Sequence, residues 1–317
     1  FSFLKSKLII FLLLWNLYLI INSFFSINPF LSLQSSLFYF RFIFFSLGIA
    51  YLLEYKIKYL KFFLLVLSIC FLSLILDGFY QVINQKNILG YEIVGTRITS
   101  FFKDELILGS YLSRLFPIFF GILIFFYHKN FIIIISGFIF FIFIDILTFL
   151  SGERSALFYL LISSIFIILF MKEWKYARII TLFTSLLIIF TISFVNSSFK
   201  ERVVNYTFEQ IFDTNQKLGF NVFSPQHQVI YETSFKIFKD NPIFGIGTKN
   251  FRYVCTNEKY QSFTDLDSSV NGCQTSSHNY YIQILTETGI VGFSFVSILI
   301  FLYLKSILKT INKKNNI

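Results

Sequence analysis

The stretch FIIIISGFIFFIFIDILTFL, Phe131 to Leu150, holds twenty residues and a single charged one, Asp145. A helix of that length rises about 30 Å, the thickness of a bilayer's hydrocarbon core. The pattern repeats outward from it, with apolar runs at Leu8 to Phe25, Leu31 to Leu53, Phe62 to Tyr80, Leu106 to Tyr127, Ala156 to Met171, Ile179 to Val195 and Ile290 to Leu304. With 47 Phe and only 14% charged residues in 317, a soluble fold would leave a large apolar area in water. A period-two barrel pattern is lacking. The sequence therefore predicts an all-α polytopic membrane protein of about eight transmembrane helices.

Orientation follows from the basic residues, which collect on the cytoplasmic side of short connections. Segments 1–7, 54–61, 128–130, 172–178 and 305–317 carry thirteen Lys and Arg, against four in segments 26–30, 81–105 and 151–155. Both termini are thus expected in the cytoplasm, and the long segment before Ile290 on the outer face. The formal charge of +10 is a topology signal, not a nucleic-acid footprint, because the basic residues form no single stripe. The chain begins at Phe1 without an initiator Met, which suggests that further sequence precedes it. Lys5 and Lys7 ahead of the first run resemble a signal sequence, but no small-residue cleavage site follows, so the run reads as a retained helix.

The expected organisation is residues 1–195 as seven transmembrane helices, 196–289 as a periplasmic cap, and 290–317 as a last helix and cytoplasmic tail. In the cap, Ser224-Pro225 marks a helix start and Asp240-Asn241-Pro242 its end, with Val229, Ile230, Phe235 and Phe238 at roughly helical spacing. The apolar face of that helix is expected to lie on the membrane domain. In PIFGIGTKNF, Pro242 to Phe251, Gly245 and Gly247 permit a tight turn or a close backbone approach. Cys255 and Cys273 are 18 positions apart and read either as a disulfide of an oxidising compartment or as two free thiols. Neither the cysteines nor the histidines have the spacing of metal ligands, so a metal site is not expected.

Ionisable residues at membrane depth cost several kcal/mol unless they meet a partner or line a cavity. Arg41, Asp77, Arg114 with Pro117, and Asp145 interrupt or close apolar runs. By the charge bias, Asp77, Arg97 and Arg154 lie near the outer face, the side of His278. Guanidinium groups suit phosphate oxygens because their planar donors bind in pairs and stay charged. For Arg154 the alternatives are interfacial snorkelling or a pair with Glu153; for Arg97, a salt bridge with Asp104 or Glu105; for Arg41 and Arg114, struts between helices. In HNYYIQILTETG, Asn279, Gln283 and Glu287 recur every four residues on one helix face with His278 at its start. A histidine there can exchange a proton near neutrality, as activation of a sugar hydroxyl demands. The competing readings make His278 a cap or a diphosphate ligand, and Glu287 a lock on its helix.

LDGFYQ near Asp77, RITSFFKDELILGSYLSRLFP from Arg97, SGERSA around Arg154, KDNPIFGIGTKNF and HNYYIQILTETGIVGF occur in one order. Together, from about Asp77 to Phe293, they resemble the bacterial O-antigen ligase and polymerase family. The resemblance implies a GT-C-like inner-membrane glycosyltransferase, independent of metal and of other cofactors, with a large periplasmic loop before the last helices. It also implies an undecaprenyl-diphosphate-linked glycan as donor and lipid A core, or a lipid-linked glycan, as acceptor. On that analogy Arg97 and Arg154 hold the donor diphosphate, and His278 activates the acceptor hydroxyl or completes the diphosphate site. Arg114, Arg41, Asn279, Gln283, Glu287, His227 and Asp77 are the further candidate substrate contacts. Two departures stand out: fewer helices than the family usually has, and Gln226-His227 at the start of the cap helix, where relatives often carry Arg.

Transfer to lipid A core would make a ligase, and transfer to the next lipid-linked repeat a polymerase. The single large loop near the C-terminus, following a tight Arg loop, leans slightly toward the ligase. A lipid or polysaccharide transporter is the alternative of another class. Transporters usually show paired broken helices in two halves, and Pro117 has no counterpart.

Overall fold

All eight apolar runs are helical in the computed structural model, which describes residues 7–171, 174–195, 223–263 and 271–315, with 201, 205 and 208 between them. In chain order the first helices are α1 (Lys7–Phe24), α2 (Pro29–Phe38), α3 (Phe40–Tyr55), α4 (Tyr59–Asn84), α5 (Leu108–Tyr127) and α6 (Phe131–Leu150). They are followed by α7 (Arg154–Phe170), α8 (Lys175–Val195), α9 (Pro225–Asp240), α10 (Phe251–Val254) and α11 (Tyr280–Asn315). Six stretches among the described residues are long and apolar enough to cross a membrane: α4, α5, α6, most of α8, most of α11, and α2 with α3 taken together. The apolar parts of α1 and α7 are shorter. Many large apolar side chains, Phe44, Phe62, Phe183 and Phe301 among them, are exposed, as a lipid-facing surface allows. The start of the expected cap, 196–222, lies outside the described residues apart from the three positions named.

The chain divides into two units, one of Phe1–Tyr55 with Phe220–Ile317 and the other of Lys56–Gly219. In the second unit α4 to α8 pack around Phe71, Phe116, Phe120, Phe141 and Leu147, all fully buried. The helix α5 runs through Pro117 without ending there. Asp145 of α6 and Arg178 of α8 form a buried pair, with Arg178 Nη1 and Nη2 donating to the two carboxylate oxygens at 2.9 Å each. Ser164 accepts from Arg178 Nε at 3.0 Å, Ser185 donates to Asp145 at 2.9 Å, and the guanidinium lies over the Phe116 ring. Arg178, counted above with a cytoplasmic loop, is thus a completely buried strut, and the basic bias survives its removal. Asp145 is its partner.

In the first unit α9 begins and ends where the capping signals placed it: Ser224 accepts from the His227 amide, and Asn241 closes the helix. Its buried side chains, Ile230, Tyr231 and Ile237, gather with Ile246, Phe251, Val254 and Cys255, with Ile282 of α11 packed against them. Phe235 is exposed. The apolar face of α9 therefore builds a small core with the glycine loop and the start of α11. Cys255 and Cys273 are joined as a disulfide.

The glycine loop is fixed by backbone contact. Ile246 and Gly247 amides donate to the Thr286 and Glu287 carbonyls at 3.2 and 2.8 Å, and the Ile290 amide donates to the Pro242 carbonyl at 2.8 Å. Gly245, at φ 69°, stands so close that a Cβ would meet the Glu287 carbonyl carbon at 2.4 Å. Gly289 breaks the helical path of α11 at φ 65°, and its missing Cβ leaves room for the Ile243 carbonyl. Only glycine meets both demands, a left-handed φ and a backbone approach below contact distance.

Candidate functional site

In the Lys56–Gly219 unit the loop after α4 is organised by two side chains of that helix. Asp77 accepts from the Ile88 amide at 2.9 Å, from Ser100 Oγ at 2.6 Å and from Asn87 Nδ2 at 3.4 Å. Gln81 Oε1 accepts from the amides of Thr99 and Ser100 at 3.0 and 2.8 Å. The Asp77 carboxylate thereby holds the loop after α4.

That loop lays Arg97 on the turn between α6 and α7. Ile98 N donates to the Leu150 carbonyl at 3.3 Å; Arg97 Nε donates to the Ser151 carbonyl at 3.1 Å and Nη2 to the Leu106 carbonyl at 3.3 Å. Glu153 ties the same turn to the first turn of α5, accepting from the Gly109 amide at 2.7 Å and from Ser110 Oγ at 2.6 Å. Arg154 follows as the first residue of α7 and is exposed. Arg97 thus packs on the turn that leads into Arg154, at a helix N-terminus that favours anions. Arg114 is exposed on α5.

In the other unit the histidines come together. His278 and His227 rings meet edge to face with centroids 5.9 Å apart, and both are exposed. Ser224 Oγ is 2.5 Å from His227 Nδ1, so the residue that caps α9 also orients this ring. His278 adopts a left-handed φ of 51° one residue before the cap of α11. The capping itself falls to Asn279, whose Oδ1 accepts from the Tyr281 and Ile282 amides at 3.1 and 3.3 Å. Asn279 is therefore committed to the backbone while His278 projects from the helix start.

Gln283 and Glu287 lie one and two turns further on, and Gln283 Nε2 donates to Glu287 Oε1 at 3.4 Å. Glu287 is buried, and the Lys249 and Phe251 amides hydrogen-bond its carboxyl group. These contacts lock α11 onto the glycine loop, the structural job that was the alternative for Glu287. Arg41 stands on α3, lining a cavity of about 310 Å³ with Gln34, Ser35, Tyr39 and Lys249. Lys249 and Tyr39 escaped the sequence reading: PIFGIGTKNF drew attention to its glycines, and its lysine belongs to no periodic pattern.

Among the described residues no three His, Cys, Asp or Glu side chains gather as metal ligands would. At the edge of the cap, Lys259 and Tyr260 bond Asp240 at 2.5 and 2.8 Å, and these hydrogen bonds hold its carboxyl below the usual carboxylate range.

The O-antigen ligase family model matches residues 137–297, more than half of the chain. No curated protein and no solved structure matches it. The matched stretch contains Arg154, His227, His278 and Glu287; Arg41, Asp77, Arg97 and Arg114 precede it.

Proposed function

The chain belongs to the O-antigen ligase family, and on that premise we propose that it moves a glycan from undecaprenyl diphosphate to lipid A core at the outer face of a bacterial inner membrane. Membership makes it a membrane protein of glycan transfer; donor, acceptor and membrane are our reading. The observation that carries the reading is the placing of Arg97 on the Arg154 turn, because two guanidinium groups match the charge of a diphosphate leaving group. The disulfide between Cys255 and Cys273 supports an oxidising compartment for the cap, in agreement with the charge bias. Both termini then face the cytoplasm.

The acceptor hydroxyl attacks the anomeric carbon of the glycan, and the carbon–oxygen bond to the diphosphate breaks. His278 takes the hydroxyl proton, and undecaprenyl diphosphate departs with the bonding electrons. In the Lys56–Gly219 unit, Arg97 and Arg154 stabilise the negative charge that grows on the diphosphate. In the other unit, His227 backs His278, its ring oriented by Ser224. None of these roles requires a metal.

The test is transfer by the purified full-length protein from a lipid-diphosphate glycan to two acceptors, lipid A core and a second lipid-linked repeat. Product on the core is the expected result. Extension of the lipid-linked repeat alone would instead assign a polymerase of the same family, and absence of both products from folded protein would refute glycan transfer.

A further inference from the structure

The cavity beside Arg41 has a neighbour. A second cavity, of about 340 Å³, is lined by Leu12, Trp15, Asn16, Ile43 and Tyr280, and the two share Tyr39 and Phe42 as walls. The first is polar and faces two cations, Arg41 and Lys249; the second is mostly apolar. One polar atom in the apolar wall is unsatisfied: Asn16 is 8% exposed, and its buried Oδ1 has no hydrogen-bond partner among the described residues.

Lys249 is held where it stands. Its neighbours are anchored by α2: Ser32 Oγ donates to the Thr248 carbonyl at 3.0 Å, and Asn250 Nδ2 donates to Ser32 Oγ at 2.8 Å. Both neighbours are buried, whereas Lys249 is exposed at a left-handed φ of 62°. Glycine would take that conformation freely and lysine does not, so the position keeps a cation at a conformational cost. Arg41 and Tyr55 are 14 residues apart on α3, about 21 Å along a helix. On the charge-bias topology Tyr55 ends α3 at the cytoplasmic side, which puts Arg41 in the outer half of a core of roughly 30 Å, within snorkelling reach of the headgroups.

Two cations above an apolar trough fit an anionic head on a hydrocarbon chain. We propose that the paired cavities are a binding groove for a phosphate-bearing lipid, with Lys249 and Arg41 on the phosphate and the Leu12–Trp15–Ile43 wall on the first carbons of the chain. Two lipids offer that chemistry, a polyprenyl diphosphate and a membrane glycerophospholipid. The former rests on the donor reading above and would be a polyprenyl diphosphate other than the one whose charge Arg97 and Arg154 carry.

The experiment measures binding to the full-length protein in neutral phosphatidylcholine nanodiscs, with farnesyl diphosphate and phosphatidylglycerol as separate probes and inorganic pyrophosphate as the chainless control. Lys249→Gly removes the cation at a φ that suits glycine, so folding is not at stake; Lys249→Arg keeps the charge. At least one lipid probe is expected to bind more tightly than pyrophosphate, to weaken about tenfold or more in Lys249→Gly and Arg41→Gln, and to recover in Lys249→Arg. A loss confined to farnesyl diphosphate assigns the polyprenyl lipid, and one confined to phosphatidylglycerol assigns the glycerophospholipid. Binding of neither lipid, or binding that both neutral variants leave unchanged, overturns the proposal. Because no acceptor and no transfer enter the measurement, a protein that transfers glycan but fails here refutes the groove alone, and one that binds but does not transfer refutes the function alone.

Discussion

The pair of Asp145 and Arg178 shows how far a single residue can be read. Asp145 was conspicuous as the lone charge of its run, but its partner is 33 positions away and looked like loop. Nothing local in a sequence links the two. Removing one partner of a buried pair strands the other's charge, so Asp145→Ala should lose about 3–5 kcal/mol. Replacing both, Asp145→Leu with Arg178→Met, should recover most of that loss, since a well-packed apolar pair costs no desolvation. Unfolding in mixed detergent checks both variants. Asp240 behaves differently because it is exposed. Its carboxyl is held below the usual range by Lys259 and Tyr260, so folded pKa is lower than unfolded pKa. The stability it contributes is present above the unfolded value and is lost as pH falls through the folded one. Asp240→Asn should flatten that part of the acid melting profile, and an unchanged profile would show that the contact contributes nothing.

At the scale of elements, glycines and caps were the most legible features. Ser224-Pro225 and Asp240-Asn241 bound α9 where their chemistry says, because capping is local. The two loop glycines were read as a tight turn or a close backbone approach; Gly245 makes the close approach, although the Glu287 backbone it meets lies some forty residues on. Gly289→Ala would place a Cβ 2.2 Å from the Ile243 carbonyl oxygen at a φ of 65°. The loss from strained backbone alone is about 1–3 kcal/mol, and the clash adds to it. The variant should accumulate poorly and lose its folded fraction on mild heating, whereas Gly121→Ala, with open space around it, should not. Of the apolar residues named on α9, Val229 and Ile230 are buried but Phe235 is exposed, because Phe235 and Ile237 are equally apolar in sequence and only the fold decides that Ile237 turns inward. Separating Cys255 and Cys273 by Cys→Ser at both positions should cost roughly 3 kcal/mol, an expectation for a loop of about this length, read as a lower melting temperature.

At the scale of the whole molecule, the membrane class, the helical runs and the family were all legible, since apolar length and motif order survive without any knowledge of packing. The candidate site was legible in parts. Arg97 and Arg154 were named together, and Arg97 packs on the turn that leads into Arg154; His227 was named only among the further contacts and meets His278; Asp77 and Asn279 were named for substrate and hold a loop and a helix start. Polar residues at a membrane surface look alike in sequence whether they hold a loop or await a ligand, and only their hydrogen bonds separate the two. The central claim is glycan transfer at that surface. Its most direct measurement is the transfer rate from a lipid-diphosphate glycan for wild type, Arg154→Ala and His278→Ala, each with its folded fraction determined. The account predicts a fall of about 10²–10³-fold for Arg154→Ala and at least about 10²-fold for His278→Ala at unchanged folding. Rates in both variants within a few-fold of wild type would contradict it.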